Sequence, residues 1–153
     1  MKTLSQTDIQ NRFLYADKML LLVSRTFALN INRLSGDLRK TVLLAYLYLR
    51  IADTVEDDSQ LSVDEKLRLL KMFADIFRDG SDVEKSTEAF VSDLPEYFRS
   101  SENPNDALCE NALTVVPLLW TFGADYVKPV CETVVEMCEG MASSLESMEA
   151  SLE

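Results

Sequence analysis

An apolar stretch that ends in acidic residues constrains this chain more than any other feature. Residues 46–58 read Tyr-Leu-Tyr-Leu-Arg-Ile-Ala-Asp-Thr-Val-Glu-Asp-Asp. At about 100° per residue, Tyr46, Arg50, Asp53 and Asp57 share an arc of about 60°, along about 16 Å of helix. The other faces are apolar, which predicts a buried helix whose polar stripe faces an enclosed polar cavity.

The carboxylates of this stripe have the spacing that a hard cation needs. Asp53 and Asp57 are four residues apart, so they lie on one helix face and repel each other, and a divalent cation relieves that repulsion. Arg50, one turn earlier, can pair with an aspartate or bind an anion. The alternative is a frayed helix end, in which residues 54–58 open into a solvated acidic loop and Arg50 forms a salt bridge.

Composition narrows the chemistry further. The chain has no histidine, which excludes imidazole bases and most zinc sites, so any metal must take oxygen ligands, as magnesium, manganese and calcium do. Three cysteines, Cys109, Cys131 and Cys138, form no CxxC pair, which favours buried free thiols in a reducing, cytoplasmic compartment. A net charge of −11 argues against nucleic-acid binding and against electrostatic docking on an anionic membrane.

The pattern predicts an all-α chain that forms one domain, or the N-terminal part of one, over residues 1–153. An apolar content of 47% is enough for a core. Ser62 and Glu65 form a capping-box pattern, Asp37 is a candidate N-cap, and residues 24–27 are a predicted break. About six helices are expected, over residues 8–23, 37–57, 62–78, 83–99, 105–122 and 125–148.

Four segments resemble one enzyme family. They are Val-Ser-Arg-Thr-Phe-Ala at 23–28, Leu-Arg at 38–39, the 46–58 stretch, and Met-Cys-Glu-Gly-Met-Ala at 137–142. In this order and spacing they resemble the squalene and phytoene synthases, the head-to-head prenyl synthases. The Asp-Thr-Val-Glu-Asp wording is closer to squalene synthase.

The resemblance implies an isoprenoid (terpenoid) synthase fold, a helical bundle around a central cavity. It implies that two farnesyl diphosphates condense head to head, with Mg²⁺, through presqualene diphosphate, which squalene synthases then reduce with NADPH. Phytoene-type synthesis from geranylgeranyl diphosphate is the alternative. A non-catalytic helical interaction module that retains relic motifs is a second one.

The resemblance also implies roles for individual residues. Asp53 and Asp57 are expected to be Mg²⁺ ligands supported by Glu56, Ser24, Arg25 and Arg50 to bind diphosphate, and Tyr46 to lie over the reacting carbons. The expected hydrophobic channel residues are Phe27, Leu49, Met137, Gly140 and Met141. Met137 and Met141, four residues apart, are also predicted to pack inside the bundle.

The chain departs from the family pattern in one respect. The family carries a second aspartate-rich segment downstream, and this sequence ends at Glu153 before it. We therefore expect the chain to be part of an enzyme, as a truncated product, a designed fragment or a degenerate paralogue, and to be inactive alone. A partial domain exposes apolar surface, so self-association is expected, and lipid substrates suggest peripheral membrane contact.

Overall fold

The computed structural model describes residues 3–152, and within that range the chain is helical without any strand. The predicted all-α class is confirmed. In chain order, the helices are α1 (Gln6–Val23), α2 (Arg25–Ile31), α3 (Gly36–Asp57), α4 (Val63–Asp79), α5 (Val83–Asp93), α6 (Tyr97–Ser100), α7 (Pro104–Glu110), α8 (Ala112–Val115), a 3-10 helix (Val116–Thr121) and α9 (Ala124–Leu152).

Helix starts follow capping chemistry where the sequence predicts it. The Ser62 side chain accepts from the Glu65 amide, and the Glu65 carboxylate accepts from the Ser62 amide, each at 3.1 Å. Helix α1 begins two residues earlier than expected because Ser5 caps it. Asp37 is wrong as an N-cap, since Ser35 holds that position without a side-chain hydrogen bond.

The predicted break after α1 holds a further helix. Ser24 has an extended backbone, and its hydroxyl accepts a hydrogen bond from the Phe27 amide at 3.3 Å. The same residue therefore ends α1 and caps α2. The polar Ser-Arg-Thr sequence predicts a break, and the break is a single residue, because α2 begins directly after Ser24.

Two predicted long helices are divided, and each contains a proline. The predicted 83–99 helix ends at Asp93, because Leu94 is extended (φ −66°, ψ 142°), as a residue before proline prefers. The predicted 105–122 helix becomes α7, α8 and the 3-10 helix. Pro117 lacks an amide N–H for the Leu113 carbonyl, which instead accepts from Arg12 Nη1 at 2.9 Å.

Helix α3 is the central element of the core. It packs against α1, α4, α7, α9 and the 3-10 helix, and most of its apolar side chains are buried, among them Leu43, Leu44, Leu47, Ile51 and Val55. Tyr48 is buried on this helix, and its hydroxyl lies 2.9 Å from both the Val115 and Val116 carbonyls, where α8 gives way to the 3-10 helix. The burial of α3 agrees with the sequence prediction and fixes the helix that carries the polar stripe.

Apolar side chains also remain at the surface. Large exposed examples lie on α1, α2, α3 and α9: Leu14, Leu21, Leu22, Leu29, Leu38, Met137 and Met148. None of the described helices is both long enough and apolar enough to span a bilayer.

Candidate functional site

The C-terminal half of α3 forms one wall of a polar cleft of about 480 Å³. Arg50, Asp53 and Asp57 from the polar stripe line it together, as the helical spacing predicted. The cleft is open to solvent: the Asp53 side chain is 43% exposed and Asp57 is exposed. The predicted enclosed cavity is therefore wrong for the described residues, because the stripe lies at the edge of the core.

The opposite wall comes from residues 97–106, a segment in which the sequence predicted no functional residue. It contributes Tyr97, Ser101, Asn103, Asn105 and Asp106. Asn103 caps α7 and Pro104 is the first residue of that helix, so the segment has a recognisable helix-start pattern. That pattern predicts where α7 begins, but it gives no signal that α7 faces α3.

Arg50 is held between the two walls. Its Nε donates to Asn105 Oδ1 at 2.9 Å, and its Nη1 lies 3.8 Å from Asp53 Oδ2. The first contact is a good hydrogen bond, and the second is a longer ion pair. Arg50 therefore keeps hydrogen-bonding capacity on its Nη atoms for an anion.

The acidic side chains in and beside the cleft repel one another. Burial, followed by repulsion from Asp57, raises the pKa of Asp53, and the opposing effect of Arg50 does not cancel this. Burial and then repulsion from Asp57 and Asp53 raise the pKa of Glu56. Each shift means that an additional nearby positive charge would stabilise the ionised carboxylates.

Asp58 has a structural role, because it accepts hydrogen bonds from both walls of the cleft. One of its oxygens accepts from the Gln60 and Leu61 amides at 2.8 and 2.9 Å and from the Tyr97 hydroxyl at 2.6 Å. Burial, and then the bond to Asp58, raise the pKa of Tyr97. Asp58 therefore ties the α3–α4 turn to the opposite wall, whereas Asp57 is exposed to the cleft.

Arranged this way, the cleft fits a magnesium ion. No group of three or more acidic, cysteine or histidine side chains among residues 3–152 is arranged to enclose a metal. Magnesium does not need one, because it binds through one or two carboxylates and takes water and phosphate oxygens for the rest. Asp53 and Asp57 satisfy that requirement. Glu56 is half-buried beside them but does not line the cleft.

The remaining predicted polar residues lie outside the cleft. Tyr46 stacks on Phe27, with ring centroids 4.2 Å apart and planes 10° from parallel. Ser24 caps α2, and Arg25 is exposed at the start of that helix. Helix α2 thus places Phe27 against the Tyr46 end of the stripe, with Ser24 and Arg25 at the start of that helix. Arg50, Asp53 and Asp57 line the cleft at the other end.

The predicted channel residues on α9 differ from one another. Met141 is 8% exposed and packs in the core, whereas Met137 is 45% exposed, so the prediction that both pack inside the bundle is wrong for Met137. Gly140 is exposed, and a Cβ built there meets nothing within 4 Å. It therefore does not serve a close helix approach among the described residues. Leu49 on α3 is half-buried against the core.

Comparison with known proteins relates the chain to one family. A profile of the family described as squalene/phytoene synthase matches residues 21–148. A squalene synthase from Rattus norvegicus is 41% identical over 70 residues, which cover 46% of this chain and 17% of that protein. Squalene synthase BSS from Botryococcus braunii is 38% identical over 104 residues, covering 58% of this chain and 22% of that protein.

A solved structure also matches: TcSQS in complex with the ligand E5700 superimposes with a TM-score of 0.68 at 26% identity. The match covers 92% of this chain and 36% of that one. The chain thus spans well under half the length of these relatives. Since the family profile matches most of the sequence and includes α3 with its Arg50, Asp53 and Asp57, the chain belongs to the squalene/phytoene synthase family.

Proposed function

We propose that this chain supplies the first aspartate-rich half of a prenyl diphosphate site for squalene-type, Mg²⁺-dependent, head-to-head condensation of two farnesyl diphosphates through presqualene diphosphate. The observation that carries this proposal is the shared cleft of Arg50, Asp53 and Asp57. One cation-binding pair and one anion-binding side chain lie on a single helix face, as a metal-bound diphosphate requires. The similarity to squalene synthases supports the same choice.

The residues divide the work by their chemistry. Asp53 and Asp57 would hold Mg²⁺, or Mn²⁺, with Glu56 in support, and the bound ion supplies positive charge that neutralises the diphosphate. Arg50 offers its free Nη atoms to phosphate oxygens. Arg25, which is exposed at the start of α2, would bind a second phosphate group.

The aromatic pair at the other end of the stripe suits the prenyl chain. Phe27 stacks on the Tyr46 ring and thereby holds the phenol in one orientation. An aromatic face tolerates the positive charge of an allylic cation. The Ser24 hydroxyl oxygen accepts a hydrogen bond from the Phe27 amide, so its own hydrogen can be donated to a phosphate oxygen.

Phytoene-type condensation of geranylgeranyl diphosphate is the second candidate, since the family profile includes both reactions. The two differ in chain length and in the NADPH step of squalene synthesis. We assign no described residue to NADPH. A longer prenyl chain needs a deeper channel, so comparing farnesyl with geranylgeranyl analogues distinguishes the two candidates.

We further propose that the protein is cytoplasmic. We also propose that it contacts membranes peripherally or self-associates through the exposed leucines of α1 and α2, which are Leu14, Leu21, Leu22 and Leu29. Such apolar surface favours contact with another apolar surface. Light scattering tests self-association, and flotation with neutral lipid vesicles tests membrane contact. A monomer that fails to float would contradict both.

Titration calorimetry of the purified chain with a non-hydrolysable farnesyl thiodiphosphate tests the main proposal. We expect binding in Mg²⁺ and none in EDTA, since the ion neutralises repulsion between the diphosphate and the aspartates. Equal binding in both conditions, or no binding in either, would contradict the proposal. The second result would favour an interaction module with relic motifs.

A further inference from the structure

A single hydrogen bond joins the two walls of the cleft at Arg50. Arg50 on α3 and Asn105 on α7 are 55 residues apart in the chain, and Arg50 Nε donates to Asn105 Oδ1 at 2.9 Å. An arginine fixed through Nε has a defined guanidinium plane, and its Nη edge stays available. The contact therefore sets the direction in which Arg50 presents its donors.

Asn105 is itself held in place before any ligand arrives. Its backbone amide and its Nδ2 donate to Asn103 Oδ1 at 2.9 and 3.1 Å. Asn103 caps α7, and its own amide donates to Ser101 Oγ at 3.1 Å. With Nδ2 turned toward Asn103, the Asn105 carbonyl oxygen is the atom that faces Arg50.

Asn105 is uncharged, and this matters because the cleft is lined mainly by carboxylates and polar groups. Asp53, Asp57, Asp58 and Asp106 already line it. Arg50, the one arginine among the lining residues, already has Asp53 at 3.8 Å, so a carboxylate at its Nε would add a second negative partner. An amide oxygen accepts the same hydrogen bond without a formal charge. Arg50 keeps its positive charge while its position is fixed.

We propose that Asn105 is a positioning residue that orients Arg50 toward the diphosphate without placing a further negative charge beside it. The inference rests on the proposed function, because it assigns Arg50 to the diphosphate. Asn105 acts through Arg50 and does not itself need to touch the ligand.

Calorimetry with inorganic pyrophosphate at saturating Mg²⁺ tests the proposal in a double-mutant cycle. We expect Asn105→Ala to weaken pyrophosphate binding by about 5- to 10-fold, the effect of one lost hydrogen bond. In an Arg50→Ala background the same change should have no further effect. Asn11→Ala, an exposed asparagine on α1, is the matched control and should bind like wild type.

Asn105→Asp separates positioning from simple structural support. It keeps the acceptor for Arg50 Nε, adds a negative charge and removes the Nδ2 donor to Asn103. Added charge predicts weakened pyrophosphate binding while the Arg50 Nε–H stays in slow exchange, whereas lost structural support predicts weakened binding with fast exchange. The Arg50 Nε–H resonance in ¹⁵N NMR gives a readout without ligand. We expect slow exchange with solvent in wild type and fast exchange in Asn105→Ala.

The outcomes distinguish this inference from the proposed function. If wild type binds magnesium pyrophosphate and Asn105→Ala binds equally well, the inference is wrong and the proposed function stands. Equal weakening in both Arg50 backgrounds, or an Arg50 Nε–H that exchanges fast in wild type, also overturns it. If wild type binds no pyrophosphate, the proposed function fails, and with it the ligand role of Arg50.

Discussion

Helices α3 and α9 both carry segments that resemble the family, yet the structure presents them differently. On α3, Arg50, Asp53 and Asp57 face a cleft closed on its far side by residues 97–106 and fixed by the Arg50–Asn105 bond. On α9, Met137 and Gly140 face solvent, and Met141 alone of the predicted channel residues there is buried. Sequence similarity marks both segments, but long-range contacts organise only the first as a site.

The largest expected effect breaks the α3 side of this comparison. Asp53→Ala combined with Asp57→Ala should weaken Mg²⁺-dependent binding of a farnesyl thiodiphosphate by more than about 100-fold. Loss of a residue that only orients a metal ligand already lowers metal affinity by up to about 100-fold, and this variant removes the ligands themselves. Calorimetry measures it. Asp125→Ala, an exposed aspartate on α9, is the control and should bind like wild type. A double variant that keeps its affinity would remove the aspartates from the site.

The next effect concerns stability on the α9 side. Met141→Ala should lower the free energy of unfolding by about 2 to 3 kcal/mol, because it leaves a cavity in the core. Met137→Ala should change it by less than about 0.5 kcal/mol, because that side chain is largely solvated. Urea denaturation compares the two variants. Equal losses would mean that Met137 is covered in solution, as self-association through this face would cause.

The smallest expected effect concerns the contact between α4 and α9. Hydrogen bonds from Lys71 and Arg78 hold the pKa of Asp75 below its usual value, and Arg78 also pairs with Glu139 on α9. A lowered folded pKa means that the stabilisation is present above the unfolded pKa and is lost as pH falls through the folded one.

Asp75→Asn should therefore cost about 0.5 kcal/mol near neutral pH, as for an exposed ion pair, and nothing at pH well below the Asp75 pKa. Thermal unfolding at both pH values gives the comparison. If Asp75→Asn still lowers the free energy of unfolding in acid, the loss comes from packing and not from the ion pair.

The sequence predicts what depends on neighbouring residues. The capping box at Ser62, the buried faces of α3 and the grouping of Arg50, Asp53 and Asp57 all follow from spacing of a few residues. It does not predict which element faces the stripe, because the Asn105 contact depends on how α7 packs against α3, and those two helices are far apart in the chain. Exposure of Asp57 and Met137 depends likewise on what covers each helix, which periodicity does not encode.

The α3 cleft, and not another acidic surface, should bind a metal-bound diphosphate. Paramagnetic broadening of backbone amides by substoichiometric Mn²⁺ with pyrophosphate tests it directly. We predict the strongest broadening at Asp53, Asp57 and residues 101–106. Strongest broadening at Glu132 and Glu136, two exposed carboxylates four residues apart on α9, would show that the metal-bound diphosphate binds elsewhere.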